Sequence, residues 1–244
     1  MTHNTARTFA IALWWFGGAA CGTHSLSSSY RPMEAAAHAE LIVDTLVVEI
    51  GPDQRPLLGG NRLGPGFLAW IPLFPYGHQM ISPDRWVVDD LDNGGDFRDD
   101  VAKTVVSDLR AERVASTVRL AVTSPDRPSE PIPTLRVTLK EGIFQRYLTA
   151  YGLSVAGVFL YVVGFPTTYG SVDIDLAVEL RDAKGRALGQ QTFSGSASAI
   201  EWLYRPVGPA YTSALPDAYA QISPGLRAFV REHLQVSAAT ASRE

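Results

Sequence analysis

Ser171-Val172-Asp173-Ile174-Asp175-Leu176-Ala177-Val178-Glu179-Leu180-Arg181-Asp182-Ala183-Lys184-Gly185-Arg186 is the stretch that decides the fold class. Val172, Ile174, Leu176, Val178 and Leu180 fall on one side of a two-residue period. Asp173, Asp175, Glu179 and Arg181 fall on the other. Alternation of this kind predicts a strand with one buried and one wet face, the habit of antiparallel sheets. Asp182 to Gly185 then supplies a turn and Arg186 to Phe193 a return strand, so a hairpin is expected. Upstream, Thr134 to Lys140 repeats the pattern, with Leu135, Val137 and Leu139 inward.

Outward from this hairpin the periodicity changes. Phe97, Val101, Val105 and Leu109, joined by Ala102 and Val106, recur at helical spacing. Asp96 stands where an N-cap belongs, with Asp99 near the positive end of the helix. A second helix is expected from Ser223-Pro224, because Pro is favoured at the first helical position. A helical piece from Pro216 to Ile222 should meet it at a kink. Ala39 to Ile50 reads as the first strand and Thr117 to Val122 as another. The proline- and glycine-rich stretch from Gly51 to Gly95 reads as irregular, with short strands such as Arg85 to Val88. The fold class expected is α+β: a mainly antiparallel sheet of four to five strands, two main helices packed on one face, and long apolar loop insertions. A single domain over residues 39–236 and a disordered tail over 237–244 complete the expectation.

The N-terminus carries a different signal. Arg7 precedes the apolar run Thr8 to Ala20, and Gly17-Gly18-Ala19-Ala20 leads to Cys21, the single cysteine of the chain. Thirteen apolar residues are too few to span a bilayer, which takes about 20, but they suit a signal-peptide core. A cysteine directly after the small residues looks like a bacterial lipobox, although Gly18 stands where Leu is usual. The reading is a lipoprotein signal over 1–20 and a lipidated Cys21 opening a flexible tether over 21–38. By resemblance to the enterobacterial lipoprotein sorting rule, Gly22 after the cysteine implies the outer membrane, on the periplasmic side; Gly18-Ala19-Ala20 would also suit an ordinary signal peptidase, and the inner membrane or secretion are the alternatives.

Two loops are unusually apolar. Leu63 to Gly77 contains Phe67, Trp70, Ile71 and Phe74, and its prolines forbid a regular helix. Tyr151 to Pro166 contains Tyr151, Val158, Phe159, Leu160, Tyr161 and Phe165. Such runs either fold back as core or form a surface that touches lipid or a partner protein. With Trp202, Tyr204 and Tyr211 they could gather at one end of the sheet.

The sequence holds no nucleophile elbow, zinc-protease helix, P-loop or dinucleotide fingerprint. No catalytic residue, metal ligand or cofactor is therefore assigned. His78 has Ser82 and Asp84 nearby but nothing to complete a triad. Asp89, Asp90, Asp92, Asp96, Asp99 and Asp100 resemble the start of a calcium loop. Val101 stands where the bidentate Glu would be needed, so a solvated turn and an acidic helix start explain them. A net charge of −4 without a basic stripe gives no sign of nucleic-acid binding.

Asp96 to Ala102, Tyr151 to Gly157 and Ser171 to Leu180 resemble segments of envelope lipoproteins whose domains are similar to the amino-terminal domain of TolB and to the activator lipoproteins of penicillin-binding proteins. The resemblance implies a periplasm-facing module that binds other envelope proteins and brings no active site with it. The expected function is a lipid-anchored, non-enzymatic adaptor with a membrane and an envelope protein as partners. An accessory lipoprotein of a lipid or solute transporter is the alternative, and an envelope hydrolase a third. The anchor is tested by palmitate labelling in cells: the wild-type chain should incorporate label and Cys21→Ala should not.

Overall fold

The computed structural model describes residues 26–33, 41–52, 54, 60–62, 78–81, 97–121, 131–148, 159–160, 162–202 and 210–241. Their elements, in chain order, are α1 (Leu26–Ser29), β1 (Val43–Ile50), β2 (Gly60–Arg62), β3 (His78–Ile81), α2 (Phe97–Ala111), β4 (Ala115–Leu120), β5 (Thr134–Leu148), β6 (Pro166–Arg181), β7 (Ala187–Trp202) and α3 (Ala210–Ala241). The architecture is α+β, as the alternation predicts, with one mostly antiparallel sheet and the helices on one of its faces.

The long strand β5 organises the sheet. Along one edge it pairs antiparallel with β6 over its whole length, and β6 pairs in turn with β7. Along the other edge its first residues pair parallel with β1, and its last pair antiparallel with β3. β1 also pairs parallel with β4. That parallel pair needs a crossover, which α2 supplies by packing its apolar stripe on β1 and β4. Phe97, Val101, Val105 and Leu109 are all buried there.

β5, β6 and β7 each outrun the strands expected from alternation. Their far ends carry Gly, Ser, Ala and Tyr in place of a clean apolar stripe, so the period fades while the pairing continues. The hairpin turn forms as expected. The Asp182 carboxylate accepts from the backbone N–H groups of Lys184 and Arg186 at 2.9 and 2.8 Å, and from the Arg186 Nε at 2.7 Å.

The C-terminal region differs from expectation. α3 is one helix that contains both Pro216 and Pro224, and it continues through 237–241, read as tail from sequence. Each interior proline forfeits a backbone hydrogen bond and costs about 3 kcal/mol. The compensation is a buried face on both sides of each proline: Leu215, Tyr219, Ile222, Leu226, Phe229 and Leu234 cover β6 and β7. At Gly195 the approach is so close that a Cβ would sit 2.1 Å from the Ala218 carbonyl oxygen, so only glycine lets the helix lie there.

Residues 26–33 also depart from the expected tether, because they are docked. Leu26 is fully buried in the core. The Asp100 carboxylate caps α1 from outside it, accepting from the N–H groups of Leu26 and Ser27 and from the Ser27 hydroxyl. Tyr30 packs edge-on against the buried Tyr219 ring at 4.7 Å and donates its hydroxyl to Asp108 at 3.1 Å. Asp108 is wholly buried and also accepts from Ser223 Oγ at 2.7 Å, from Arg227 Nε at 3.0 Å and from Arg227 Nη2. Arg227 Nη1 reaches the Met33 carbonyl at 2.7 Å and the Glu112 carboxylate at 3.3 Å, and Arg231 pairs with Glu112 at 2.9 Å. Burial alone would lower the Arg227 pKa, but its bonds to Asp108 and the charges of Asp108 and Glu112 raise it. Burial pushes the Tyr30 phenol up, so it remains a donor at neutral pH.

Removing one partner of a buried ion pair costs about 3–5 kcal/mol, while an apolar replacement of both is far milder. Asp108→Ala should therefore lose about that much stability in urea unfolding. The double variant Asp108→Leu, Arg227→Met should lose less than the sum of its two single changes.

Candidate functional site

The apolar loop ahead of β6 ends in a tight turn that the structure resolves from Phe159. Val163 donates its N–H to the Phe159 carbonyl, and Phe165 donates to the Leu160 carbonyl at 2.9 Å. Gly164 between them has φ +96°. A left-handed glycine with a bond reaching five residues back is a Schellman arrangement. It ends the turn and sends the chain into β6. The turn leaves its side chains in solvent: Phe159 is 70 %, Val163 73 % and Phe165 55 % exposed.

The strand ends beside it extend this apolar surface. Trp202 of β7 pairs with Pro166 of β6, and Ile200 pairs with Tyr169. Ile200 is 52 % and Trp202 41 % exposed. A contiguous apolar tip therefore closes the β6–β7 end of the sheet. Of the residues singled out in the sequence, Phe159 and Phe165 lie on this tip and Leu160 is half-buried beneath it. Phe67, Trp70, Ile71, Phe74, Tyr151, Val158 and Tyr161 lie outside the described residues, as do Cys21, Tyr204, Ser82 and Asp84. His78 begins β3, opposite Tyr147.

The docked N-terminal segment enters from the same end. Leu26 is held by Asp100, one turn from Phe97, and the Phe97 ring meets Phe144 at 5.8 Å. Phe144 pairs with Val172, and β5 and β6 continue only four more residues, to the Leu148–Thr168 pair. From Leu26 the chain then runs away from the tip, toward Asp108 and Arg227.

Two other features belong to the long hairpin. β7 is an edge strand, paired among the described residues only with β6. α3 covers one point of that edge: Gln221 donates to the Ser196 carbonyl at 2.6 Å and accepts the Ser196 N–H at 3.4 Å. In an antiparallel strand every second residue turns its backbone groups the same way. Thr192, Ser194 and Ser198 therefore present theirs outward as Ser196 does. The second feature is an acidic row on the open face. Glu141 sits opposite Asp175, and Asp173 follows two residues before it on β6. Burial, then the charge of Asp175, pushes the Asp173 carboxyl up, and burial with the Asp175 and Asp173 charges does the same to Glu141.

Among the described residues no group of three His, Cys, Asp or Glu side chains could hold a metal. Asp100, which belongs to the acidic cluster of the sequence, faces inward onto α1. At the turn end of the hairpin a cavity of about 500 Å³ lies between Pro133, Asp182, Leu188 and His233. His233 bonds through Nδ1 to the Phe229 carbonyl of its own helix.

No protein-family model matches the chain, and no curated protein matches it. Among solved structures, a crystal structure of a Xanthomonas campestris protein assigned to the family DUF330 is similar at a TM-score of 0.41 and 12 % identity. The alignment covers 86 % of this chain and 98 % of the other.

The acidic row gives a pH prediction. A carboxyl whose folded pKa is raised favours the fold while protonated, and that contribution is lost as pH rises through the folded value. Asp173→Asn should therefore raise the melting temperature at pH 7, with a stability gain of less than about 1 kcal/mol for so exposed a pair. The gain should vanish below about pH 4, where aspartate is protonated in both states. Melting curves of both proteins across pH 3–7 check it.

Proposed function

We propose that this chain is a lipid-anchored, periplasm-facing adaptor of the cell envelope, without enzymatic chemistry of its own, that takes up another envelope protein along the outer edge of β7. The observation that carries this reading is the edge itself: a 16-residue strand that among the described residues is paired on one side, with Gln221 capping its outward position at Ser196. Its outward residues are Thr and Ser in the middle of the strand, not the Lys or Pro that commonly blunt an exposed edge. An extended segment of a partner would gain main-chain hydrogen bonds there by strand addition. Cys21 and its preceding small residues support the anchor, and the likeness of Ser171 to Leu180 to envelope lipoproteins supports the periplasmic setting.

Proline tests this with little disturbance. At an outward-facing edge position it removes an N–H that makes no bond within the sheet. With a photo-crosslinking side chain at Thr192, the wild-type chain should capture a discrete envelope partner in cells. Ser198→Pro should abolish capture while its melting temperature stays within a few degrees of wild type. Undiminished capture by the folded Ser198→Pro protein would contradict the proposal.

A further inference from the structure

The apolar tip needs an occupant of its own, because strand addition along β7 leaves Phe159, Val163 and Phe165 in water. We propose that this tip seats in the interfacial layer of the lipid bilayer that holds the anchor, so that the domain stands on the membrane by its β6–β7 end. The inference rests on the reading of Cys21 as a lipidated residue.

Three observations converge on lipid. The first is the placement of the chain entry. Asp100 and the core fix Leu26 one turn from Phe97, near the level of the Phe144–Val172 pair and roughly 20 Å along β6 from Pro166. Cys21 lies five residues before it, a reach of at most about 18 Å. An acyl-bearing Cys21 therefore holds the bilayer surface within that reach of Leu26, and the docked segment, which runs from Asp100 toward Asp108 and away from the tip, leaves the tip side for the anchor.

The second is the chemistry of the tip. Phe159, Val163, Phe165 and Ile200 are each more than half exposed, and Trp202 is 41 % exposed beside them. Aromatic residues at the edge of an apolar cluster suit the headgroup boundary. Apolar groups of surface-lying segments enter that boundary to a depth of about 5–10 Å. The third is the Gly164 turn, which fixes Phe159 and Phe165 together. Little conformational freedom is left to lose on insertion. Among the described residues no helix is long and apolar enough to cross a membrane.

The test uses the full-length lipoprotein purified from membranes and reconstituted into vesicles of phosphatidylethanolamine and phosphatidylglycerol. An environment-sensitive fluorophore is placed through Val163→Cys, with Ser194→Cys as control, since acylated Cys21 does not react with the label. Ser194 is exposed in mid-strand, roughly 20 Å from Ile200 at strand spacing. Flotation reads anchoring in the same samples. The expected result is flotation, a blue-shifted, brighter signal at 163 that is quenched by lipids carrying spin labels near the headgroup, and a water-like signal at 194. Flotation with a water-like signal at 163 would overturn the seating of the tip and leave the anchor intact. Failure to float would overturn the anchor, and with it this inference. A change at 163 that appears only when extracted envelope proteins are added would assign the tip to a protein partner and overturn the lipid assignment.

Discussion

The Asp108 carboxylate is the point on which three parts of the chain meet. It is wholly buried on α2 and accepts from Ser223 and Arg227 of α3 and from Tyr30 of the N-terminal segment. A charge taken out of water is expensive unless its lone pairs are filled. Here they are filled by groups 78, 115 and 119 residues away. The carboxylate therefore acts less as a source of stability than as a constraint on arrangement. α2, α3 and residues 26–33 can coexist with a satisfied Asp108 only in one relative placement. Glu112 and Arg231 extend the same logic one turn further along both helices.

That constraint sets the direction in which the domain faces. With Tyr30 on Asp108 and Leu26 on Asp100, the docked segment has Leu26 on the side of the sheet end where β5 and β7 finish and β6 begins. The same end carries the Phe159–Phe165 turn and the exposed Ile200 and Trp202. The outer edge of β7 runs away from this tip toward the Asp182 turn. In the proposed adaptor an anchor and the apolar tip would share one end, and the outer edge of β7, paired among the described residues only with β6, would run away from them.

Much of the fold was legible because it obeys local rules. The period of two in Val172 to Leu180, the stripe from Phe97 to Leu109 and the Asp182–Gly185 turn each report themselves within a few residues. The misreadings have a shared physical cause, since they concern residues whose partners are remote. Asp100 reads as one acid of an acidic helix start, and only the folded chain reveals the N–H groups it serves, as it reveals the guanidinium that Asp108 serves. Pro216 and Pro224 read as a helix boundary because the gain that outweighs them lies across the interface, on β6 and β7. Gly195 is the clearance for Ala218, a close approach that lies across the sheet–helix interface. For the candidate site, Phe159 and Phe165 were visible as apolar loop residues. Their exposure was not, because apolar composition is the same in a core and in an exposed tip.

The account stands or falls on whether residues 26–33 are part of the folded domain. Amide hydrogen exchange at Leu26, Ser27 and Tyr30 reads this directly, since the first two donate to Asp100 and the third donates to the Leu26 carbonyl. Amides of a docked segment open only with the unit they belong to. The account predicts protection comparable to that of the buried β1 residues Leu46 and Val48. Exchange at the rate of an unstructured peptide, with β1 still protected, would contradict it.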